Sequence, residues 1–496
     1  MYRISTRMNK LFPLILFILF MVSSSMCLAQ MNELPISTSS DEARQAFMQG
    51  REKFELLRME EAHDLFQEAV DDDNNFALGY LYLGLTAPTN EAFVEDIQHA
   101  SEVADNVSSG EQKLVKAFQY YTQQDAQQAV QTLSELAAQY PSDKRVQVFL
   151  GNAHYNMQDY DKAIAQYKKA VDIDVDFAPV YNIMGYAYRA KGDYSDAETT
   201  LKKYVSLLSD EANPHDSIGD LYTKMGRFEE AITHYSKAVE LNPDFYVSQR
   251  NIGINYAFLG KFDQAREAIR KAMKMDPTPS GKTYEQMQLA YTYLYQKNLA
   301  GAEQEMAKAF NMAEDNDDPE TMANIHLSNS QIYLFYDKPD KADEQIEQVQ
   351  IIIEDSDLPD QIIQRLSQNH IYHQAMIASA KGNYSDAMDL ANQFKHMVMN
   401  LNNPQLMKNY HELIGVITLD KKDYAGAIPH FKEANQHDPM VIYKWAKAES
   451  GNGNTLKAND LYNKVANWND HSLNYALVRP KAMDMLKMKV ASEEDK

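Results

Sequence analysis

Cysteine is almost missing from this sequence, in which Cys27 is the one thiol among 496 residues. Proline and glycine are scarce too, with 16 and 18 residues, whereas tyrosine is abundant, with 31. A single cysteine excludes an intramolecular disulfide and any metal site built from several cysteines. Few helix breakers favour a helical protein, and the tyrosines indicate that its packing uses a large amphipathic ring.

Basic residues are in deficit as well. Lys and Arg number 48 against 71 Asp and Glu, which gives a formal net charge of −23. Because this charge repels nucleic acid and no basic stripe opposes it, we expect no nucleic-acid partner. The charge serves solubility, or it attracts a basic partner or divalent cations to the acidic runs at 71–73 and 314–320. Neither run has the spacing of a calcium loop, and both are predicted to be turns between repeats.

The first thirty residues have the pattern of a secretory signal. Arg3, Arg7 and Lys10 precede an apolar run from Leu11 to Val22, and small residues follow it. This run is shorter than the roughly 20 residues that span a hydrocarbon core. We therefore predict a signal peptide at 1–29, cleaved after Ala29, and no stable membrane span in the mature chain. The chain is then exported, and is periplasmic or secreted.

Two alternatives to cleavage stay open. The apolar run is a permanent anchor, or Cys27 is the lipidated residue of a bacterial lipoprotein. Lipidation is disfavoured because Met26 stands where such signals have a small residue.

A 34-residue period runs through the middle of the chain. Small residues in candidate first helices recur at this interval and are followed twelve residues later by alanine, as in Gly151/Ala163, Gly185/Ala197, Gly219/Ala231 and Gly253/Ala265. A period of this length is the signature of stacked helix pairs. The two helices of a pair approach closely where both side chains are small, so glycine on the first helix is expected to face alanine on the second.

Aromatic residues and helix breakers agree with this pattern. Tyrosines follow the first small residue by three or four positions, and therefore lie on the same helical face. Triplets such as Gly226-Arg227-Phe228 separate the helices, with the glycine ending one helix and the aromatic residue anchoring the next. Prolines such as Pro243 end the second helices.

The segment from Ile218 to Pro243 resembles the consensus of the tetratricopeptide repeat. The resemblance covers residues 41–470 and is most specific at 111–277. It implies an all-α fold, a right-handed superhelical solenoid of antiparallel helix pairs, with about 11–12 repeats and a concave binding groove.

The predicted organisation has five parts. The signal peptide (1–29) is followed by N-terminal repeat-like units, one of them irregular (41–110), and by a regular array (111–277). A looser array (278–470) and a C-terminal capping helix with an acidic tail (471–496) complete the chain. A leader before an acidic array resembles exported tetratricopeptide proteins of Gram-negative bacteria of the Bacteroidetes type.

The resemblance also implies where a partner binds, because the first helix of each pair lines the concave face in this family. The polar residues that it places there are Asn152, Asn182, Tyr186, Arg189, Asp216, Asp220, Arg250 and Asn251. Such a surface suits an extended peptide held by side-chain amides, with Arg189 or Arg250 meeting a carboxylate. The alternative is that they are ordinary solvated helix residues.

One binding mode of the family is disfavoured. Tetratricopeptide domains that grip chaperone C-termini use a clamp of lysines, asparagines and an arginine. Val148, Ile183, Asn213 and Ser217 stand at the corresponding places and break that clamp.

Signatures of catalysis are incomplete. His411 and Glu412 begin like a zinc-protease helix, but Gly415 fills the place of the second histidine. His370 and His373 lie one helical turn apart without an evident third ligand. We therefore predict no enzyme, no metal and no cofactor.

The leading hypothesis is a non-catalytic scaffold of the cell envelope that binds an unidentified protein or peptide partner in the concave groove. The alternative is a glycan-binding envelope protein built on helix pairs, although a clean lipidation signal and an insertion with aromatic platforms are missing. An enzyme of unrecognised chemistry is the third hypothesis.

Overall fold

The computed structural model of the protein describes residues 33–401 and 403–494, with side chains as far as Lys487. The predicted signal peptide, with Cys27, lies outside the described residues. Within them there are 25 α-helices and no β-strand. The first 24 helices form twelve successive pairs, so the fold is the all-α solenoid of helix pairs that the sequence predicts.

The first helix of each pair carries an odd number. These helices are α1 (Asp41–Glu55), α3 (Ala77–Leu85), α5 (Ser109–Thr122), α7 (Lys144–Asn156), α9 (Ala178–Lys191), α11 (Ala212–Lys224), α13 (Tyr246–Phe258), α15 (Pro279–Tyr295), α17 (Pro319–Phe335), α19 (Asp360–Ala380), α21 (Pro404–Asp420) and α23 (Pro439–Gly451).

The second helix of each pair carries an even number, and one further helix ends the array. These helices are α2 (Met59–Asp72), α4 (Asn90–Val103), α6 (Ala126–Gln139), α8 (Tyr160–Ile173), α10 (Tyr194–Leu207), α12 (Phe228–Leu241), α14 (Phe262–Met275), α16 (Leu299–Asp315), α18 (Pro339–Asp355), α20 (Tyr384–Val398), α22 (Tyr424–Glu433), α24 (Thr455–Ala466) and the last, α25 (Leu473–Glu494).

Paired helices approach closely at the predicted glycines, but their nearest neighbour differs from the prediction. A Cβ on Gly219 would lie 2.6 Å from a ring carbon of Tyr235, which follows Ala231 by four residues. A Cβ on Gly151 would lie 2.3 Å from the ring of Tyr167 in the same way. The aromatic ring, and not the alanine, fills the space because helical side chains point back over the preceding turn. The alanine is fully buried, and its small side chain leaves room for the ring to reach the glycine.

The turns inside the pairs follow the predicted rule. Gly226 has φ +75°, a left-handed conformation that glycine adopts without strain. The amide of Arg227 donates to the carbonyl of Tyr222 at 2.8 Å, which closes the end of α11. Phe228 then begins α12, as the triplet predicts.

The chain divides into two compact units. One comprises residues 33–87, 95–121 and 128–180, and the other comprises 88–94, 122–127 and 181 onwards. The first unit has an aromatic core in which the rings of Phe47, Phe76 and Tyr82 meet at centroid distances of 5.0 and 5.1 Å. The limits predicted at 110, 277 and 470 stay predictions.

The second unit contains α25, which the sequence assigned to a cap at the end of the array. α25 packs on the first helices α15, α17 and α23, which belong to three different pairs. It buries Tyr475 and Val478 completely, in a core that joins α13–α17 with α23–α25. The helix therefore holds distant repeats of this unit together.

Candidate functional site

The predicted residues of α9 and α11 in the second unit bind one another. The hydroxyl of Tyr186 donates to Oδ2 of Asp220 at 2.7 Å. The guanidinium of Arg189 lies 4.5 Å from the ring centroid of Tyr186 and 3.6 Å from the same oxygen of Asp220. Since the side chains of Arg189 and Asp220 are 19% and 25% exposed, this charged patch reaches solvent at one side.

Asp216 and Asp220 lie one turn apart on α11 and share a donor. The amide nitrogen of Asn251 lies 3.5 Å from Oδ1 of Asp216 and 3.4 Å from Oδ1 of Asp220. Ser248 donates to Asp216, and Tyr235 donates to Asp220, each at 2.6 Å. Burial and the charge of Asp220 raise the pKa of Asp216 to about 7. Burial inside the protein therefore accounts for this shift without a ligand.

Arg250 is paired with a carboxylate of the next first helix. Its Nη1 donates to Oε1 of Glu285 at 2.9 Å, and the two side chains are 16% and 0% exposed. Burial raises the pKa of Glu285 to about 7, and Arg250 opposes that rise. The position that the sequence assigned to a ligand carboxylate is therefore taken by a carboxylate of the chain itself.

The predicted asparagines also bond within the protein. Ser217 donates to Oδ1 of Asn182 at 2.7 Å, in the second unit. Asn152 belongs to the first unit, where its Oδ1 accepts from the hydroxyl of Tyr167 at 2.8 Å. The structure thus gathers all the predicted residues except Asn152 on α9, α11 and α13 of one unit. Their contact with a partner stays a prediction.

A segment of the chain lies beside these helices in the second unit. We call residues 467–472, between α24 and α25, the C-terminal linker. The carbonyl of Trp468 accepts from Nζ of Lys224 at 2.6 Å, and Nε2 of His471 lies 2.6 Å from Oε1 of Gln288. Burial lowers the pKa of His471 to about 3, so its ring is neutral. The linker therefore covers part of the first-helix surface near the predicted site.

An open cavity of 840 Å³ lies further along the same unit. It runs along α17, α19, α21 and α23, and residues of α25 contribute to its lining. We call this cavity the distal groove. It is lined by four side-chain amides and four aromatic rings, which are Gln331, Asn369, Asn409, Asn474, Phe335, Tyr372, Tyr384 and Tyr443.

The floor of the distal groove is held by polar contacts between helices. Nζ of Lys444 on α23 donates to Oε1 of Glu412 on α21 at 3.0 Å. Asn474 on α25 donates to Oδ2 of Asp438 at 2.8 Å and accepts from Gln331 on α17. Burial and the charge of Glu412 raise the pKa of Asp438 to about 6. These side chains bind one another, and they fix the spacing of the helices around the cavity.

Two other side-chain amides of the distal groove form no such contacts. Asn369 and Asn409 form no side-chain hydrogen bond with any residue in the part of the chain that the structure describes. Each lies six residues before the crossing residue of its pair, which is Ala375 in one case and Gly415 in the other. Successive repeats therefore present the same unbonded amide at equivalent positions.

The sequence contains a pattern that indicates this groove, although the predicted site does not include it. The shared position of Asn369 and Asn409 relative to Ala375 and Gly415 is visible in the printed chain. The concave positions were predicted from the regular repeats at 111–277, and Asn369 and Asn409 lie outside them. The contribution of Asn474 had no signal, since α25 lies outside the repeat pattern.

The incomplete metal motifs form other contacts. The ring of His411 stacks on that of His430 at 5.8 Å, while Glu412 binds Lys444. Burial lowers the pKa of His373 to about 4, and its Nδ1 lies 3.2 Å from the hydroxyl of Ser330. Across 33–401 and 403–494, no group of three or more His, Cys, Asp and Glu side chains is arranged to hold a metal ion. No helix of that part is both long and apolar enough to cross a membrane.

Four models of repeat families match the chain, over five ranges. Models described as tetratricopeptide repeat match residues 116–143, 178–207, 217–245 and 251–279, and one described as TPR repeat matches 151–192. The chain therefore contains tetratricopeptide repeats between residues 116 and 279, where the sequence predicted the regular array.

Several solved structures are similar to the chain. MamA is 24% identical, with 34% of this chain and 96% of MamA covered and a TM-score of 0.28. YrrB, described as a TPR protein with an unusual peptide-binding site, is 22% identical, with coverages of 37% and 93% and a TM-score of 0.27. Yeast Tom70 is 15% identical, with coverages of 84% and 96% and a TM-score of 0.43. No curated protein matches the chain.

Proposed function

We propose that the chain is a non-catalytic protein-interaction scaffold that binds an extended peptide of a partner protein in the distal groove. The observation that carries this proposal is the pair Asn369 and Asn409, which present unbonded amides to one cavity from equivalent places in successive repeats. The tetratricopeptide repeats at 116–279 support it, since stacked repeats of this kind offer extended binding surfaces.

The chemistry of the groove suits a peptide backbone. An extended peptide has an N–H and a C=O at every residue, and a side-chain amide both donates and accepts. The rings of Tyr372 and Tyr443 add apolar contact area for the side chains of the peptide. Because Lys444 and Glu412 hold α21 and α23 in place before binding, little ordering of the groove is required.

A second, smaller contact surface belongs to this proposal. The patch of Tyr186, Arg189 and Asp220 is partly exposed, and its guanidinium and carboxylate offer charge to a partner. Arg250 and Asp216 bind other residues of the chain and so hold neighbouring helices in place, and their contact with a partner stays a prediction.

Selection from a library of displayed peptides tests the use of the groove. We expect the purified chain to enrich related peptides, and we expect the variant Asn369→Ala/Asn409→Ala to lose them while keeping its helical circular dichroism and melting temperature. Gln67→Ala, an exposed amide on α2, is the matched control and should bind as the wild type does. Equal binding by the double variant would show that the peptide lies elsewhere. Enrichment on a glycan array but not from the peptide library would favour the glycan-binding alternative.

We further propose that the chain is exported to the cell envelope, where it is periplasmic or secreted. The support is the pattern of residues 1–29, which with the acidic array resembles exported proteins of the Bacteroidetes type. Mass spectrometry of the protein isolated from its own cells should find a mature N-terminus at Gln30. A chain that starts before the apolar run, or that carries a lipid on Cys27, contradicts cleavage after Ala29.

A further inference from the structure

A second cavity of the second unit lies between the C-terminal linker and the turn that joins α11 to α12. Its volume is 520 Å³, and we call it the linker pocket. Lys224 and Arg479 line it together with the side chains of Tyr194, Asn467 and Asn469. Among the described residues its lining contains no carboxylate, although the whole chain has 71 acidic residues against 48 basic ones.

Lys224 brings a partly buried ammonium to the pocket. Its side chain is 15% exposed, and its Nζ lies 4.4 Å from the centroid of the Trp468 ring. The nearest carboxylate oxygen belongs to Asp470, at 3.7 Å, and this aspartate is 55% exposed. Burial lowers the pKa of Lys224; the carboxylate of Asp470 opposes this shift, and the charges of Arg189 and Lys464 add to it. The ammonium is therefore only partly compensated by the chain.

Arg479 brings a second cation with an unused donor. Its two terminal nitrogens share the carbonyl of Phe258, each at 3.3 Å. Its Nε is buried and has no hydrogen-bond partner in the part of the chain that the structure describes. A buried N–H without an acceptor is costly, particularly on a charged group, so an acceptor at this place would stabilise the protein.

Basic groups from other elements surround the same place. Nζ of Lys464 on α24 lies 5.7 Å from the centroid of the Trp468 ring, which also contacts Lys224. Burial lowers the pKa of His437, and the charges of Lys408, Lys464 and Lys224 lower it further. Positive charge thus accumulates locally in a chain that is acidic overall, which is the electrostatic condition for holding an anion.

We propose that the linker pocket is an oxyanion-binding site, in which Lys224 and Arg479 bind a carboxylate or phosphate group. Asn469 helps to shape the pocket, because its Oδ1 lies 3.1 Å from the hydroxyl oxygen of Tyr475 and its amide nitrogen lies 3.5 Å from the carbonyl oxygen of Lys224. Asp470 supplies an internal carboxylate to Lys224 and competes with the ligand. This site is distinct from the distal groove, and it does not depend on a peptide binding there.

Calorimetric titration of the full chain tests the proposal. The ligands are inorganic phosphate, sulfate, acetate and a short glutamate-rich peptide, at fixed ionic strength with chloride as the supporting salt. We expect saturable one-site binding, weakened about tenfold or more by Lys224→Gln and by Arg479→Gln, because each change removes a charge-assisted contact. Lys237→Gln, on the exposed side of α12, is the matched control and should bind as the wild type does.

Asp470→Asn gives the complementary result. It removes the competing carboxylate, so we expect binding to strengthen several-fold, an outcome that misfolding cannot produce.

Binding of phosphate and sulfate without the carboxylates assigns the site to a phosphorylated ligand, and binding of the peptide and acetate assigns it to acidic side chains. The proposal is overturned if the wild type binds none of these anions above chloride. It is overturned also if Lys224→Gln and Arg479→Gln both bind as tightly as the wild type, since the two cations then serve only to hold the linker.

Discussion

The hydroxyl of Tyr186 on α9 donates a hydrogen bond of 2.7 Å to Asp220 on α11, one 34-residue period further along the chain. The other oxygen of Asp220 accepts from Tyr235 on α12 at 2.6 Å. Arg189 lies 3.6 Å from the first oxygen. One carboxylate therefore connects its own helix pair with the first helix of the preceding pair.

Replacement of Asp220 should destabilise the protein because it leaves three groups without their acceptor. We expect Asp220→Ala to lower the free energy of unfolding by about 2–3 kcal/mol, and Tyr186→Phe by about 1 kcal/mol. Urea unfolding followed by circular dichroism measures both. Tyr284→Phe, at a tyrosine that is 48% exposed, is the control and should be neutral. If Asp220→Ala unfolds at the same urea concentration as the wild type, the network does not stabilise the array.

Asp216 makes stability depend on pH. Burial and the charge of Asp220 raise its pKa to about 7, against about 4 for an aspartate in an unfolded chain. Arg250, Ser248 and Asn251 face it from α13 and oppose the rise. Between the two pKa values the folded state holds a proton that the unfolded state lacks. The contribution of Asp216 to stability is therefore fully present below about pH 4 and is lost as the pH rises to about 7.

The variant Asp216→Asn cannot titrate and so lacks this pH dependence. The wild type loses stability as the pH is raised from 5 to 8. The melting temperature of the variant minus that of the wild type should therefore increase over this range. Asp244→Asn, at an exposed aspartate after α12, should keep a constant difference over the same range. A difference between Asp216→Asn and the wild type that stays constant or falls with rising pH contradicts the assignment.

The fold was predictable because its signal is local and repeated. Gly219 and Ala231 mark one pair of helices, and the same spacing recurs along the chain, so each repeat confirms the others. The ring of Tyr235 as the neighbour of Gly219 was not predicted, since it depends on the direction of helical side chains rather than on spacing.

The candidate site was predictable only in part. The positions on α9, α11 and α13 follow from the repeat, but the sequence does not show that Arg250 pairs with Glu285. Pairing between repeats depends on side-chain reach across helices, which periodicity does not encode. The placement of α25 depends on contacts between residues far apart in the chain, such as Asn474 with Asp438, and no local pattern predicts these.

Gly219 should resist substitution by alanine, although alanine is the better helix former. In an exposed helix this change stabilises by about 1 kcal/mol. Here the new Cβ would lie 2.6 Å from the ring of Tyr235, so we expect Gly219→Ala to destabilise by about 1–3 kcal/mol. Thermal unfolding compares it with Thr233→Ala on the exposed face of α12, which should be near neutral. Gly219→Ala as stable as the wild type would mean that the helices separate at this crossing without cost.

The last prediction concerns whether α25 is an integral part of the second unit or a segment that opens. Tyr475 is fully buried, its ring lies 5.6 Å from that of Phe258 and 6.1 Å from that of Tyr295, and its hydroxyl donates to the carbonyl of Ala466 at 3.0 Å. Loss of such a ring costs about 3–5 kcal/mol, so Tyr475→Ala should lower the melting temperature of the second unit substantially. In the wild type, the amides of 475–479, 481 and 482 should exchange with deuterium as slowly as those of α15, because opening α25 exposes the same core; Pro480 has no amide hydrogen. Met483→Ala, at a partly exposed residue of α25, should change neither property. Fast exchange confined to α25, with α15 still protected, would show that the helix detaches on its own and that the lining it gives to the distal groove is conditional.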